Sequence, residues 1–169
     1  MHHCDETMKR IGILSDTHMN KPDAFLEEIA SRHFSDVDLI IHAGDLVSIE
    51  VLDVFREMDK DVVAVCGNMD GNDIRQALPM TRTIEIEGMR IGIIHGWGAP
   101  NGIRQRIINS FRDVDSIIYG HTHECFCGYE SGIHFFNPGS PVDSRFTSRR
   151  SVGIIAIHEH TIKGEHIAL

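Results

Sequence analysis

Short apolar runs recur along this chain, each ending in a small polar cluster, and that rhythm predicts strands alternating with helices. Arg10 to Leu14 reads as the first strand, and Pro22 opens an amphipathic segment with Phe25, Leu26, Ile29 and His33 at helical spacing. Val37 to Ile41 is a near-continuous apolar run, and Ile49, Leu52, Val54 and Phe55 behind it suit a second helix. Asp61 to Val65 repeats the strand pattern. Three such units in succession imply parallel strands joined by right-handed crossovers.

The middle of the chain changes period. From Arg82 to Glu87, Thr83, Glu85 and Glu87 alternate with Ile84 and Ile86 before a turn at Gly88 into Arg90 to Ile94, which is a hairpin pattern. Asn101 to Phe111 returns to helical spacing through Ile103, Ile107, Ile108 and Phe111, and Val114 to Tyr119 reads as another strand. Short strands follow at Glu124 to Tyr129, His134 to Phe136, Ser151 to Ile157 and Thr161 to Ala168. The pattern predicts an α/β protein of two stacked sheets with helices on the outer faces. No linker interrupts it, so one domain over residues 1–169 is expected, with residues 1–9 as a flexible extension.

Composition narrows the function classes. The chain has 169 residues and a formal net charge of -9, which argues against a broad grip on long nucleic acid. Arg145, Arg149 and Arg150 form a small basic cluster that does not reverse this balance. No apolar stretch approaches the roughly 18 residues of a membrane span, and the N-terminus carries no signal-peptide core, so a cytoplasmic location is expected. The four cysteines are expected to be reduced. Cys125 and Cys127 alternate as they would on one strand face, without a second pair to complete a zinc site.

The polar clusters carry the chemistry. Asp16-Thr17-His18, Gly44-Asp45, Gly67-Asn68, His95-Gly96 and Gly120-His121-Thr122-His123 each follow an apolar run, and strand ends are where α/β sheets build their sites. In an extended segment, Asp16 and His18 would emerge on one side, and so would His121 and His123. Mixed imidazole and carboxylate donors suit first-row divalent metals. Asp16, His18, Asp45, Asn68, His95, His121 and His123 exceed what one tetrahedral ion holds, so two ions are the simpler account. Asp45 is the expected bridge, since a carboxylate can use both oxygens. Only Asp16 and Asp45 bring formal negative charge against two divalent ions, leaving a site that attracts a phosphate oxyanion. His158-Glu159-His160 has similar spacing but reads as a solvent-facing turn between the last two strands. His2, His3, His33, His134 and His166 read as structural, with His42 as a support beside Asp45.

In this order, Asp16-x-His18, Gly44-Asp45, Gly67-Asn68-Met69-Asp70, His95-Gly96 and Gly120-His121-x-His123 resemble the motifs of the calcineurin-like metallophosphoesterase family. The likeness is strongest to its compact bacterial and archaeal phosphodiesterases, related to the retromer scaffold subunit, and Asn137-Pro138-Gly139-Ser140 extends it. The resemblance implies a four-layer α/β/β/α sandwich of two mixed sheets. It also implies one ion on Asp16, His18 and His123, another on Asn68, His95 and His121, and Asp45 between them. The implied catalyst is a metal-bridging hydroxide held by Asp45, Asn68 and His95, attacking a phosphodiester or phosphomonoester. The implied cofactors are two divalent transition-metal ions, manganese first, with nickel, cobalt, iron or zinc as alternatives. A homodimer is compatible with related compact enzymes.

Three further expectations follow. Larger relatives place His directly after the Asn of the third motif, where it assists the leaving group; this chain has Met69, whose thioether donates no proton. Asp70 is expected to cap the next helix rather than orient a metal-ligating His. Trp97, Asn101, Arg145 and the loop Asn137 to Ser140 are expected at the substrate rim. The rival reading is a protein-binding scaffold of the same fold, but scaffold members tend to lose metal ligands and this chain retains every position.

Overall fold

The structure is a computed structural model and describes residues 8–143, 145 and 149–169. Two five-stranded sheets stack face to face, ordered β10-β9-β1-β2-β3 and β4-β5-β6-β8-β7. In the first, β1 (Lys9–Leu14), β2 (Leu39–His42) and β3 (Asp61–Ala64) are parallel, while β9 (Ser151–His158) and β10 (Thr161–Ala168) add an antiparallel edge. In the second, the hairpin β4 (Thr81–Ile86) and β5 (Met89–Ile94) meets β6 (Ser116–Ile118), and β7 (Cys125–Glu130) pairs antiparallel with β8 (Ile133–Pro138). Both sheets are therefore mixed, as expected.

Strand alternation creates the layers. Ile11 and Ile13 of β1 point inward with Ile41, Ile91, Ile93, Ile118 and Phe136, forming the core between the sheets. Leu14 and Ile40 point outward and bury Leu26 and Ile29 of α1 (Ala24–His33) and Phe55 of α2 (Asp53–Arg56). On the opposite face, Ile103 and Ile107 of α4 (Ile103–Ile107) pack on Ile94, Ile117, Tyr119 and Phe135. Each fully buried Leu, Ile or Phe contributes about 2 kcal/mol, so these three apolar clusters dominate the stabilisation of the four layers.

Element boundaries differ modestly from expectation. Pro22 lies just before the helix, and Asp23 is its N-cap, accepting the Leu26 N–H at 3.0 Å. The second helical segment begins as a 3-10 turn, Ile49–Leu52, and the helix expected over Asn101 to Phe111 is α4 followed by a 3-10 turn, Ile108–Ser110. Lys9 already belongs to β1, which ends the expected extension one residue early, and residues 1–7 lie outside the described residues. Among the described residues, no helix is long and apolar enough to cross a membrane. His158-Glu159-His160 forms the turn between β9 and β10, with Glu159 and His160 both left-handed. Cys125 and Cys127 face the opposing sheet, Cys125 beside Ser151 and Cys127 beside Gly164.

Candidate metal centre

Every expected ligand stands beyond the end of a strand, and five of the seven sit in left-handed backbone. Asp16 and His18 follow β1 with φ of 57° and 46°, Asp45 follows β2 at 58°, and His121 and His123 follow β6 at 72° and 61°. A left-handed residue other than glycine costs on the order of 1 kcal/mol. Hydrogen bonds between the loops hold these conformations: Asp16 N–H donates to Gly44 O at 2.9 Å, His18 N–H to Asp45 O at 3.1 Å, and Gly120 N–H to His95 O at 3.1 Å. The expected extended spacing of Asp16/His18 and His121/His123 is thus corrected: the chain curls back on itself, so that His18 and His123 approach Asp16 while His121 turns to Asn68.

Two glycines permit that crowding. A Cβ on Gly67 would lie 2.1 Å from Asp45 Oδ1, and one on Gly120 would lie 1.9 Å from Ser15 Oγ. Glycine at these places lets neighbouring loop backbones approach the site at a distance no side chain allows.

The atoms of Asp16 divide their work. Oδ2 accepts the Ser15 hydroxyl at 2.6 Å and the His121 N–H at 3.0 Å. Oδ1 is buried without a hydrogen-bond partner and lies 3.2 Å from His123 Nε2, 3.6 Å from His18 Nε2 and 3.7 Å from His95 Nε2. His18 Nε2 is likewise buried and unpartnered. Burial opposes ionisation of Asp16, yet the facing imidazoles of His123, His18 and His95 outweigh it and hold the carboxyl well below the usual carboxylate range. Asp45 behaves similarly: burial raises its pKa, while His95 and the Met69 N–H lower it further.

Backbone carbonyls orient the imidazoles. His95 Nδ1–H donates to Ala43 O at 2.8 Å, which turns the Nε2 lone pair toward Asp45 Oδ2 at 3.2 Å and Asn68 Oδ1 at 3.1 Å. His121 Nε2–H donates to Gly98 O at 2.8 Å, and its Nδ1 faces Asn68 Oδ1 at 3.0 Å. His123 Nδ1 is bonded to the Asp143 carboxylate, presenting Nε2 inward. Ring lone pairs and carboxylate oxygens thus face one another across short gaps, an arrangement that repels itself unless a cation lies between. Protons compete for those lone pairs. Asp16, against some cost of burial, and then Asp143 push His123 up to about 9, while burial lowers His95 but Asp45 and Asp16 raise it more.

The donor set therefore fits divalent metal. Asp16, His18 and His123 offer ligand atoms within 4.8 Å of one another, as do Asp16, Asp45 and His95. Asn68 Oδ1 joins His95 to His121, and Asp45 Oδ2 lies 3.6 Å from His18 Nε2, between the two flanks. Asp45 Oδ1 accepts the Met69 N–H at 2.8 Å, and Oδ2 faces the imidazoles of His95 and His18.

Residues 8–160 match the calcineurin-like phosphoesterase superfamily domain. The chain belongs to this superfamily. Among its phosphoesterase relatives, a "probable metallophosphoesterase" of Methanocaldococcus jannaschii is 39% identical over 138 residues, covering 80% of this chain and 69% of the relative. A "phosphodiesterase" of the same organism is 30% identical over 141 residues, covering 77% of this chain and 82% of that one. The structure of vacuolar protein sorting 29 from Cryptosporidium parvum superposes with a TM-score of 0.70 at 19% identity, covering 96% of this chain and 98% of that chain, a likeness of fold alone.

Several supports of this calcineurin-like site were not foreseen. Asp70 neither caps α3 (Asn72–Ala77), whose N-cap is Gly71, nor orients an imidazole. Its carboxylate accepts three backbone N–H groups, from Asp45 at 3.0 Å, Val47 at 2.7 Å and Gly67 at 2.7 Å, locking two motif loops together. Asp143 lies 20 residues beyond the His123 it holds, and no local pattern announces that pairing. His42 is a support, as expected: its Nδ1 accepts the Gly44 N–H at 3.2 Å, so Nε2–H donates to Thr17 Oγ1 at 3.1 Å. Burial pushes its pKa down to about 3.

The expected rim is partly redrawn. Asn137 to Ser140 is buried bracing: Asn137 Nδ2 donates to Gly120 O at 3.0 Å and Ser140 Oγ to Asp16 O at 2.9 Å. Asn101 is exposed, and its backbone carbonyl accepts a hydrogen bond from Arg106 Nη1 at 3.0 Å. Trp97 lines a hollow of about 730 Å³ with Asn68 and His95, whereas Arg145 lines one of about 350 Å³ with His18 and His123.

Proposed function

We propose that this protein is a metal-dependent phosphodiesterase, with phosphomonoesters as secondary substrates, whose chemistry is centred on Asp16, His18, Asp45, Asn68, His95, His121 and His123. The observation that carries this reading is the convergence of unpaired donors: buried Asp16 Oδ1 and His18 Nε2 lack hydrogen-bond partners, and the Nε2 atoms of His95 and His123 face carboxylate oxygens. Asp16, His18 and His123 would hold one divalent ion, Asn68, His95 and His121 the other, and Asp45 would lie between them. When bound, such ions supply Lewis-acid polarisation of phosphoryl oxygens and an acidified water. Manganese is the first candidate, since mixed nitrogen and oxygen donors accept it along with nickel, cobalt, iron and zinc.

The chain's own groups do the rest. Asp45 and Asp16 enter ionised, so no proton must leave either carboxyl before a cation binds. Ala43 O, Gly98 O and Asp143 fix which ring nitrogen of His95, His121 and His123 faces inward. Met69 is 59% exposed beside the site and has no proton to give a departing alkoxide. Substrates with acidic leaving groups are therefore favoured, because general acid help is typically worth about 100-fold to 10,000-fold.

The protein-scaffold reading has the fold likeness to vacuolar protein sorting 29 behind it. The oriented donor set favours catalysis. Turnover of bis(p-nitrophenyl) phosphate, measured after chelation and readdition of manganese, tests the choice. Restored turnover is expected, and an inactive protein after readdition would favour the scaffold.

A further inference from the structure

The larger hollow begins at the candidate metal ligands Asn68 and His95 and extends away over apolar side chains. Cys66, Leu78, Pro79, Met80, Ile94 and Trp97 form its walls, with Arg75 at its polar side. Met80 is 77% exposed and Trp97 48% exposed, a large apolar surface left open to water beside the site. At about 730 Å³ the hollow has the size of a small-molecule pocket, typically about 300–1,000 Å³.

Its walls are held in place. Arg106 bonds the carbonyls of Trp97, Ala99 and Asn101, and His121 Nε2–H donates to Gly98 O at 2.8 Å, so the loop carrying Trp97 is tied directly to a candidate ligand. Arg75 is pinned by its bonds to Asp70 O at 2.8 Å and Asn68 O at 2.9 Å. None of the ion pairs among the described residues involves Arg75, so its charge is not neutralised by a carboxylate. An indole face, a polarisable thioether and a fixed guanidinium together favour a flat aromatic group over an aliphatic one.

Building on the phosphoesterase reading above, we propose that the hollow walled by Met80 and Trp97 binds an aromatic ring carried by the substrate, making this an enzyme for aryl or nucleoside phosphoesters. Phosphonates test this without turnover. Zinc-loaded protein is titrated by calorimetry with methylphosphonate, phenylphosphonate and a thymidine 5′-phosphonate, while Trp97, the single tryptophan, reports ligand contact by its fluorescence. At least one aromatic phosphonate is expected to bind about tenfold or more tighter than methylphosphonate, with a change in Trp97 emission. The tighter of the two tells whether the ring sits at the phosphorus or one sugar away. Met80→Ser and Trp97→Ser, both at exposed positions, are each expected to cut that ratio to about threefold or less. Methylphosphonate binding with no gain from either ring would overturn this inference alone. Failure of all three to bind zinc-loaded protein would overturn the phosphoester reading as well.

Discussion

Asp70 clamps Asp45 from behind: Asp70 Oδ2 accepts the Asp45 N–H at 3.0 Å and the Gly67 N–H at 2.7 Å, so one buried carboxylate sets the position of the residue between the two candidate metal flanks. Asp70→Ala would orphan three backbone donors, since Val47 N–H also bonds it. Each orphaned buried donor costs about 1–3 kcal/mol, and partial rewetting reduces the sum to about 3 kcal/mol. Urea unfolding should show that loss, and zinc affinity should drop about tenfold or more. A variant as stable as the parent, with parental zinc affinity, would refute the clamp.

Asp143 acts through His123. Removing the carboxylate frees the ring to rotate, so Asp143→Ala should weaken zinc binding by about 10-fold to 100-fold, while the His95 flank is untouched. Competition against a chromophoric chelator should resolve one weakened and one near-parental binding step. Two unaltered steps would remove Asp143 from the account.

Much of this was legible in the sequence, and the rest was illegible for physical reasons. The sandwich follows from alternation, as in Ile11 and Ile13 against Leu14, which a reader of period can see. The candidate ligands were proposed from polar residues placed where apolar runs stop. What could not be read is how the loops fold back: φ of 57° at Asp16 and 72° at His121 arises from bonds to Gly44 and Asp16, made between distant segments. Asn137 illustrates the same limit. Its amide looks like a surface group beside Pro and Gly, but it is spent entirely on Gly120, Thr122 and Gly139.

His42 gives the protein a pH signature. Its folded pKa of about 3 lies below the ordinary histidine value of 6.5, so the unfolded chain takes up the proton first as pH falls. Stability from this residue is full above pH 6.5 and is lost between pH 6.5 and about 3, at up to about 1.4 kcal/mol per pH unit. Metal-free protein unfolded in urea at pH 7 and pH 5 should lose about 2 kcal/mol more than His42→Gln over the same interval. Equal losses in both proteins would mean that His42 is not neutral in the fold.

Met69 sets the leaving-group dependence. With an exposed thioether beside Asn68, rates should fall steeply as the leaving group becomes more basic. Met69→His should flatten that slope and raise rates on poor leaving groups, by up to about 100-fold. An unchanged slope across a series of aryl esters would count against any role for this position.

The most direct test joins metal content to rate. Chelated protein is titrated with manganese while bound metal is measured by elemental analysis and phosphodiester turnover is followed in the same samples. Activity should be absent at the start, rise with occupancy and level off near two ions per chain, and Asp45→Asn should abolish most of it. Full turnover by metal-free protein, or two ions bound with no turnover of any phosphoester, would contradict the account.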